Sequence, residues 1–145
     1  MDRDHPNLSL LKDLDIQNVR DLKHVFREDV VWHFFHAAMP DLHGDYTGIE
    51  QIADFFESLK ERSAGTFTVL PRDARAIGNE LVVVETQNSL VLDGSRLTFE
   101  VAIVWRIIDG QIAEVWDIPA INTASHDSLN AMPYDSGRTG GATRP

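Results

Sequence analysis

Three long stretches, Leu81–Leu92, Leu97–Ile108 and Gln111–Ile118, follow one another with only short turn signals between them. No other feature of the chain restricts its fold as much. Each stretch is rich in β-branched and aromatic residues and alternates with a period of two, the pattern of a strand. Asn79 and Gly94 mark turns, and Asp109-Gly110 marks a tight hairpin. Connections this short join antiparallel neighbours, because parallel strands need a crossover of a dozen residues or more. The middle stretch is apolar on both faces, with Val101, Ile103 and Trp105 on one and Ala102 and Val104 on the other. A sheet that is apolar on both sides has a second face to bury. A homodimer formed through the sheet is therefore expected.

Upstream the pattern changes. Leu8 to Leu14 predicts two helical turns behind an Asn7 cap, and Asn18 predicts the cap of a second helix carrying Val19, Leu22, Val25 and Phe26 and ending at Asp29. Val30 to Phe35 reads as a strand. Pro40, Gly44 and Gly48 punctuate a loop, after which Ile49, Ile52, Phe55, Phe56 and Leu59 define one face of a helix running to about Arg62. Gly65 releases that helix into a strand over Thr66–Leu70. Helices, a strand, a helix and then a run of strands make an α+β fold, a sheet with helices on one face. We assign a single domain to residues 1–125 and a polar, flexible tail to residues 126–145, whose last part, Ser136–Pro145, is rich in Gly, Thr and Arg.

Composition removes several function classes. The 23 acidic residues outnumber the 13 basic ones, for a net charge of −10, so no nucleic-acid partner is expected. No apolar run approaches the roughly 18 residues of a membrane span. The N-terminus lacks a basic-then-apolar leader, and there is no cysteine, so a cytoplasmic location is expected. Neither a dinucleotide Gly-rich fingerprint nor a phosphate loop is present, and no cofactor is implied. His33, His36 and His43 suggest a metal, but strand positions three apart face opposite ways, so no metal site is predicted.

Three segments carry a resemblance: Glu28-Asp29-Val30-Val31-Trp32-His33, then His43-Gly44-Asp45-Tyr46-Thr47-Gly48-Ile49-Glu50-Gln51-Ile52, then Arg106 to Trp116 around Asp109-Gly110. In this order and spacing the chain resembles the nuclear transport factor 2-like superfamily from about Ile16 to Ile118. The nearest branch is the SnoaL-like polyketide cyclase and ketosteroid isomerase-like group. The resemblance implies a cone-shaped, curved mixed sheet wrapped around N-terminal helices, with an internal apolar pocket and usually a dimer. It implies no single function, because this superfamily hosts isomerases, cyclases, hydrolases and plain binders.

Carried across residue by residue, the family's functional groups are mostly absent. The tyrosine, general-base aspartate and late-strand acid of ketosteroid isomerase-like enzymes fall at Leu10, Phe34 and Ile103, all apolar here. The Asp–Arg–Asp set of limonene epoxide hydrolase-like enzymes falls at about Thr86, Asn88 and Asp117, so one of its three members remains. SnoaL-like cyclases place an acid/base aspartate late in the last strand, and Asp117 fills that position. The further aspartate common after the final proline is missing from Ala120-Ile121-Asn122.

Asp117 is thus the catalytic candidate, and its facing depends on the hairpin. A two-residue Asp-Gly turn pairs Ile103 with Trp116 and sends Asp117 outward. A three-residue Ile108-Asp109-Gly110 turn pairs Ile103 with Val115 and sends it inward. The resemblance favours the inward placement, where desolvation would raise the carboxyl pKa and suit it to proton transfer. Trp32, Phe34 and His36 alternate on one face of the first strand. The two aromatics are either ligand contacts or ordinary core, and His36 is either a second catalytic group assisting Asp117, as a proton acceptor or hydrogen-bond donor near the pocket rim, or a satisfied surface histidine. Asn88 and Tyr46 are possible polar groups of the pocket, although Tyr46 can equally brace its loop. Glu114 shares the face opposite Asp117. Phe55, Ile103, Trp105 and Val115 complete the expected apolar lining. Three functions stay open: an acid/base enzyme (isomerase, cyclase or hydrolase type) for a hydrophobic carbonyl or polycyclic compound, a non-catalytic binder of an apolar ligand or dimerisation module, and a partner-binding accessory subunit marked by an exposed apolar patch outside the dimer surface.

Overall fold

The computed structural model describes residues 5–12, 14–121 and 125–126. Six strands form one mixed sheet in the order β2–β1–β6–β5–β4–β3, comprising β1 Phe26–Phe34, β2 Gly44–Thr47, β3 Thr68–Ile77, β4 Leu81–Leu92, β5 Ser95–Ile108 and β6 Gln111–Pro119. A two-residue β7, Ser125–His126, pairs with Leu97 and Thr98 of β5. Only β1 and β6 run parallel. The helices α1 (Pro6–Lys12) and α2 (Gly48–Arg62) and two 3-10 segments (Ile16–Val25 and Pro40–Leu42) complete the described elements. The α+β class stands, as a curved sheet with helical elements packed against its inner face. Of the tail expected over 126–145, everything beyond His126 lies outside the described residues.

Several local expectations need correction. The segment after Asn18 is not α-helical: Asn18 and Leu22 leave helical geometry, and β1 already begins at Phe26. Val19, Leu22 and Val25 recur every three residues, which is the 3-10 period rather than that of an α-helix. The loop between Pro40 and Gly48 contains β2, whose residues Gly44 to Thr47 pair with Val31 to Phe34. The third strand extends to Ile77, well beyond Leu70. Asn7 is no cap. It lies inside α1, and its side-chain amide donates to the Asn79 carbonyl at 3.1 Å, fastening α1 to the β3–β4 turn.

The helix α2 buries Ile52, Ala53, Phe55 and Leu59. At its start the Gln51 side chain reaches back to accept the Thr47 N–H at 2.8 Å, which satisfies a donor that the helix leaves free. Its solvent side carries Glu50, Asp54 and Glu57 at helical spacing. All three pair with Arg20, at 2.8, 2.9 and 2.5 Å, and clip the 3-10 segment onto α2.

The β5–β6 hairpin sets the face of every residue beyond it. Asp109 and Gly110 form a two-residue turn, both with positive φ, and Ile108 pairs with Gln111. This is the turn that sequence counting would take to send Asp117 outward. The structure differs because the ladder slips one residue further on: Ile107 pairs with Ile112 and Arg106 with Glu114, passing over Ala113. That bulge reverses the parity of β6. Ile103 therefore faces Asp117, not Val115 or Trp116, and both point to the inner face.

Candidate functional site

The inner face of the sheet alternates large apolar groups with a few polar ones. On β1 it presents Val30, Trp32 and Phe34, on β5 Val101, Ile103 and Trp105, and on β6 Val115 and Asp117. A cavity of about 140 Å3 opens against this face. Trp32, Trp105, Ile103, Val84, Thr86, Asn88 and Asp117 form its sheet wall. Leu11, Leu14, Phe56, Phe67, Val69 and Pro71 close it from the helical side and from β3. Five of these residues (Leu14, Phe56, Phe67, Val69 and Pro71) also border a larger outer chamber of about 660 Å3. That chamber is lined on its outer side by Asp15, Arg20, Asp21, Glu57 and Lys60, so charged groups stand beyond the apolar residues that the two spaces share.

Asp117 is the titratable side chain of the inner wall. Its neighbours in the ladder are Phe34 on β1 and Ile103 on β5, the two positions at which ketosteroid isomerase-like enzymes would carry carboxylates. Desolvation by these surroundings pushes its carboxyl up to about 7, opposed by the indole N–H of Trp32, which faces it. That N–H makes no hydrogen bond of ordinary length, and neither does the indole N–H of Trp105. Both rings are fixed. Trp32 meets Trp105 edge-on at 5.4 Å and Phe56 edge-on at 5.1 Å. The remaining polar pair is Thr86, whose hydroxyl donates to the Asn88 side-chain oxygen at 2.8 Å.

Of the residues picked out from the sequence, the cavity brings together Asp117, Trp32, Asn88, Ile103 and Trp105. Five others stand elsewhere. His36 is neither at the rim nor on the surface: it is 2% exposed, between Phe34 and Phe99. Burial, then the nearby His43, hold it down at about 4, so the ring is neutral, and its Nδ1 accepts the Ala38 N–H at 3.2 Å. Phe34 and Phe55 pack on one another at 4.6 Å in the core. Tyr46 braces its loop, its hydroxyl donating to the Leu42 carbonyl at 2.5 Å. Val115 is fully buried as the register partner of both Trp32 and Trp105. Phe56, rather than Phe55, lines the cavity, and Thr86 is a polar wall residue that its spacing two before Asn88 on β4 could have revealed.

The outer face has a different chemistry. His33 lies between Asp45 on β2 and Glu114 on β6, each at 2.7 Å, and stacks on Trp116. Burial lowers its pKa, but the hydrogen bonds to Glu114 and Asp45 and their charges outweigh this, leaving it raised. Arg106 reaches Glu114 at 3.6 Å, pairs with Glu80 and sits over the Trp116 ring. Glu114 thus belongs to this network rather than to the cavity. Among the described residues no cluster of three His, Asp or Glu side chains is arranged to hold a metal ion.

A curved sheet closed by helices over an apolar cavity with a carboxyl on its wall is the architecture of the nuclear transport factor 2-like superfamily. The chain belongs to the SnoaL-like domain family, which it matches over residues 10–115. Asp117 stands two residues beyond that match. A search of curated proteins gives no match. Among solved structures, a protein of unknown function with a cystatin-like fold from Xanthomonas campestris is 24% identical, covering 79% of this chain and 88% of its own, with a TM-score of 0.65. A nuclear transport factor 2-like protein of unknown function from Burkholderia pseudomallei is 18% identical over 81% of this chain and 92% of its own, with a TM-score of 0.69. TerC, co-crystallised with polyporic acid, is 21% identical over 79% and 91%, with a TM-score of 0.66. These likenesses establish the fold. No described helix is long and apolar enough to cross a membrane.

Proposed function

We propose that the protein is an acid/base enzyme for a small hydrophobic carbonyl compound, with Asp117 taking a proton from carbon and returning it. One observation carries this reading: a carboxyl on the wall of an apolar cavity, pushed up to about 7 by burial, with no other charged side chain among the described lining residues. A group that titrates near working pH is suited to accept and return a proton. An inner cavity of about 140 Å3 is close to the size that holds a single benzene ring in other proteins. A larger, polycyclic ligand would extend into the outer chamber. That TerC, of the same fold, was co-crystallised with polyporic acid supports this use of the fold.

The proton leaves an enolisable carbon for an Asp117 oxygen, its bonding electrons remain on the ligand as an enolate, and the same carboxyl returns it at that or a conjugated carbon. No cofactor enters this scheme.

The test is deuterium exchange. Small aryl ketones incubated with the protein in heavy water should gain deuterium next to the carbonyl, and Asp117→Asn should abolish the gain. Exchange no faster than buffer across the ketones tried, or a carboxyl-carbon NMR titration placing Asp117 at or below ~3.9, would refute the enzyme reading. With a high Asp117 pKa but no exchange, the protein is a binder of apolar ligands. That second reading is favoured by the cavity having one ionisable group and no other base to share the work.

We also propose that two copies pair through the outer face of the sheet. Phe35 and Ile118 lie one step beyond the Phe34–Asp117 pair on adjacent strands, 58% and 54% exposed, and a second copy would cover them. Sedimentation should show a dimer that Ile118→Lys weakens; a wild-type monomer at high concentration would overturn the proposal.

A further inference from the structure

The indole of Trp32 shares the cavity wall with the Asp117 carboxyl and acts on it as a donor. Its ring is 2% exposed and pinned edge-on between Phe56 and Trp105, so the direction of its N–H is set by packing. Yet among the described residues this buried donor makes no hydrogen bond of ordinary length. An unmade bond on a buried N–H is costly, and nearly all such groups in folded proteins are paired. The neutral carboxylic acid is a weak acceptor, whereas a carboxylate is a strong one that forms shorter bonds.

We propose that Trp32 is a positioning residue for Asp117, its indole N–H standing just beyond hydrogen-bond reach of the protonated acid and closing onto the carboxylate once the proton has left. This inference rests on Asp117 being the working acid/base. The closing bond occupies one carboxyl oxygen and turns the other toward the ligand. It also stabilises the ionised half of the proton cycle without placing a charge in the cavity. The proton itself moves only between ligand and Asp117, and the indole keeps its own throughout.

Other titratable groups are distant or screened from this pair. From the segment after β1, His36 stacks on Phe34; from β5, β4 and β3 the lining groups are Ile103, Trp105, Val84, Thr86, Asn88, Val69 and Pro71, none of which titrates. From the helical side come Leu11, Leu14 and Phe56, with Asp15, Arg20, Asp21, Glu57 and Lys60 only in the outer chamber.

The chain has three tryptophans, so its indole N–H signals can be followed one by one in a proton–nitrogen NMR titration of the intact protein. The Trp32 signal should move downfield with the midpoint found for Asp117 by carboxyl-carbon NMR. In Asp117→Asn the movement should vanish, and Trp32→Phe should raise the Asp117 midpoint by about one pH unit. Trp116, stacked on His33, serves as the control that follows histidine instead. A Trp32 signal that stays fixed while Asp117 titrates high overturns the positioning role and leaves the enzyme reading intact. An Asp117 midpoint near that of a free aspartate overturns the enzyme reading, and a Trp32 signal that still follows it would preserve the contact alone.

Discussion

Ile103 and Asp117 face one another across the β5–β6 ladder, an aliphatic side chain opposite a carboxyl on the inner face of the sheet. With Phe34 on the other flank, the carboxyl has apolar strand neighbours on both sides, and its charge is disfavoured in the folded state. The unfolded chain has no such restriction.

Stability should therefore fall as pH rises through the interval between the two states. An unfolded aspartate ionises near ~3.9, whereas folded Asp117 keeps its proton up to about 7. Below the lower value neither state is ionised and there is no cost; above the upper value the cost is constant, about 4 kcal/mol. Asp117→Asn removes it. In urea unfolding, the variant's gain over wild type should rise by about 4 kcal/mol between roughly pH 4 and pH 8. A gain independent of pH would show a carboxyl that titrates normally.

Filling the cavity should remove binding without unfolding the protein. Val84 is a half-buried wall residue of β4, paired with Ile103. Val84→Phe would project a ring into the space. We expect at least a tenfold loss of affinity for acetophenone by NMR titration, with stability changed by about 1 kcal/mol or less because the added volume meets a void. Unchanged binding would place the ligand outside the cavity.

On the outer face the sign is opposite. Because His33 binds its proton more tightly when folded, its pairing with Glu114 and Asp45 stabilises the fold fully below about pH 6.5, and this contribution is lost as pH rises through the raised folded-state pKa. The groups are partly exposed, so we expect about 0.5–1 kcal/mol. Urea unfolding at low salt should show His33→Gln less stable than wild type at pH 6 by about that amount, with the gap narrowing by pH 9.

Thr86 offers a measure of the polar wall. Thr86→Val leaves the Asn88 oxygen without its buried donor and should cost about 1–2 kcal/mol in urea unfolding at neutral pH. Thr86→Ser, which keeps the hydroxyl, should cost less; equal losses would mean that the methyl packing, not the bond, is what matters.

How far the sequence was legible followed from how much of each element is half-buried. The strands β4, β5 and β6 carry a clear period of two and turn residues with positive φ, and they fell within one or two residues of their observed ends. β3 did not, because Pro71, Arg72, Asp73 and Arg75 lie on an almost wholly exposed edge strand, where nothing imposes alternation. β2 is four residues of exposed or half-buried Gly44-Asp45-Tyr46-Thr47, with no apolar rhythm at all. At the site, alternation located Trp32, Ile103 and Trp105, and the resemblance favoured an inward Asp117. The choice of Phe56 over Phe55 depends on the rotation of α2 against a curved sheet. The closure by Leu11, Leu14 and Val69 depends on how distant segments meet, and neither leaves a local mark in the chain.

The unpaired Ala113 has a further meaning. β6 carries one more residue than the opposing ladder uses, so it holds a residue of slack immediately ahead of the carboxyl. Losing a single residue between Ile112 and Asp117 can be absorbed by straightening the strand, after which Asp117 still meets Ile103. A gain of one residue has no such reserve to draw on. A one-residue loss at Ala113 should thus keep the carboxyl on the cavity wall, whereas a one-residue gain should not.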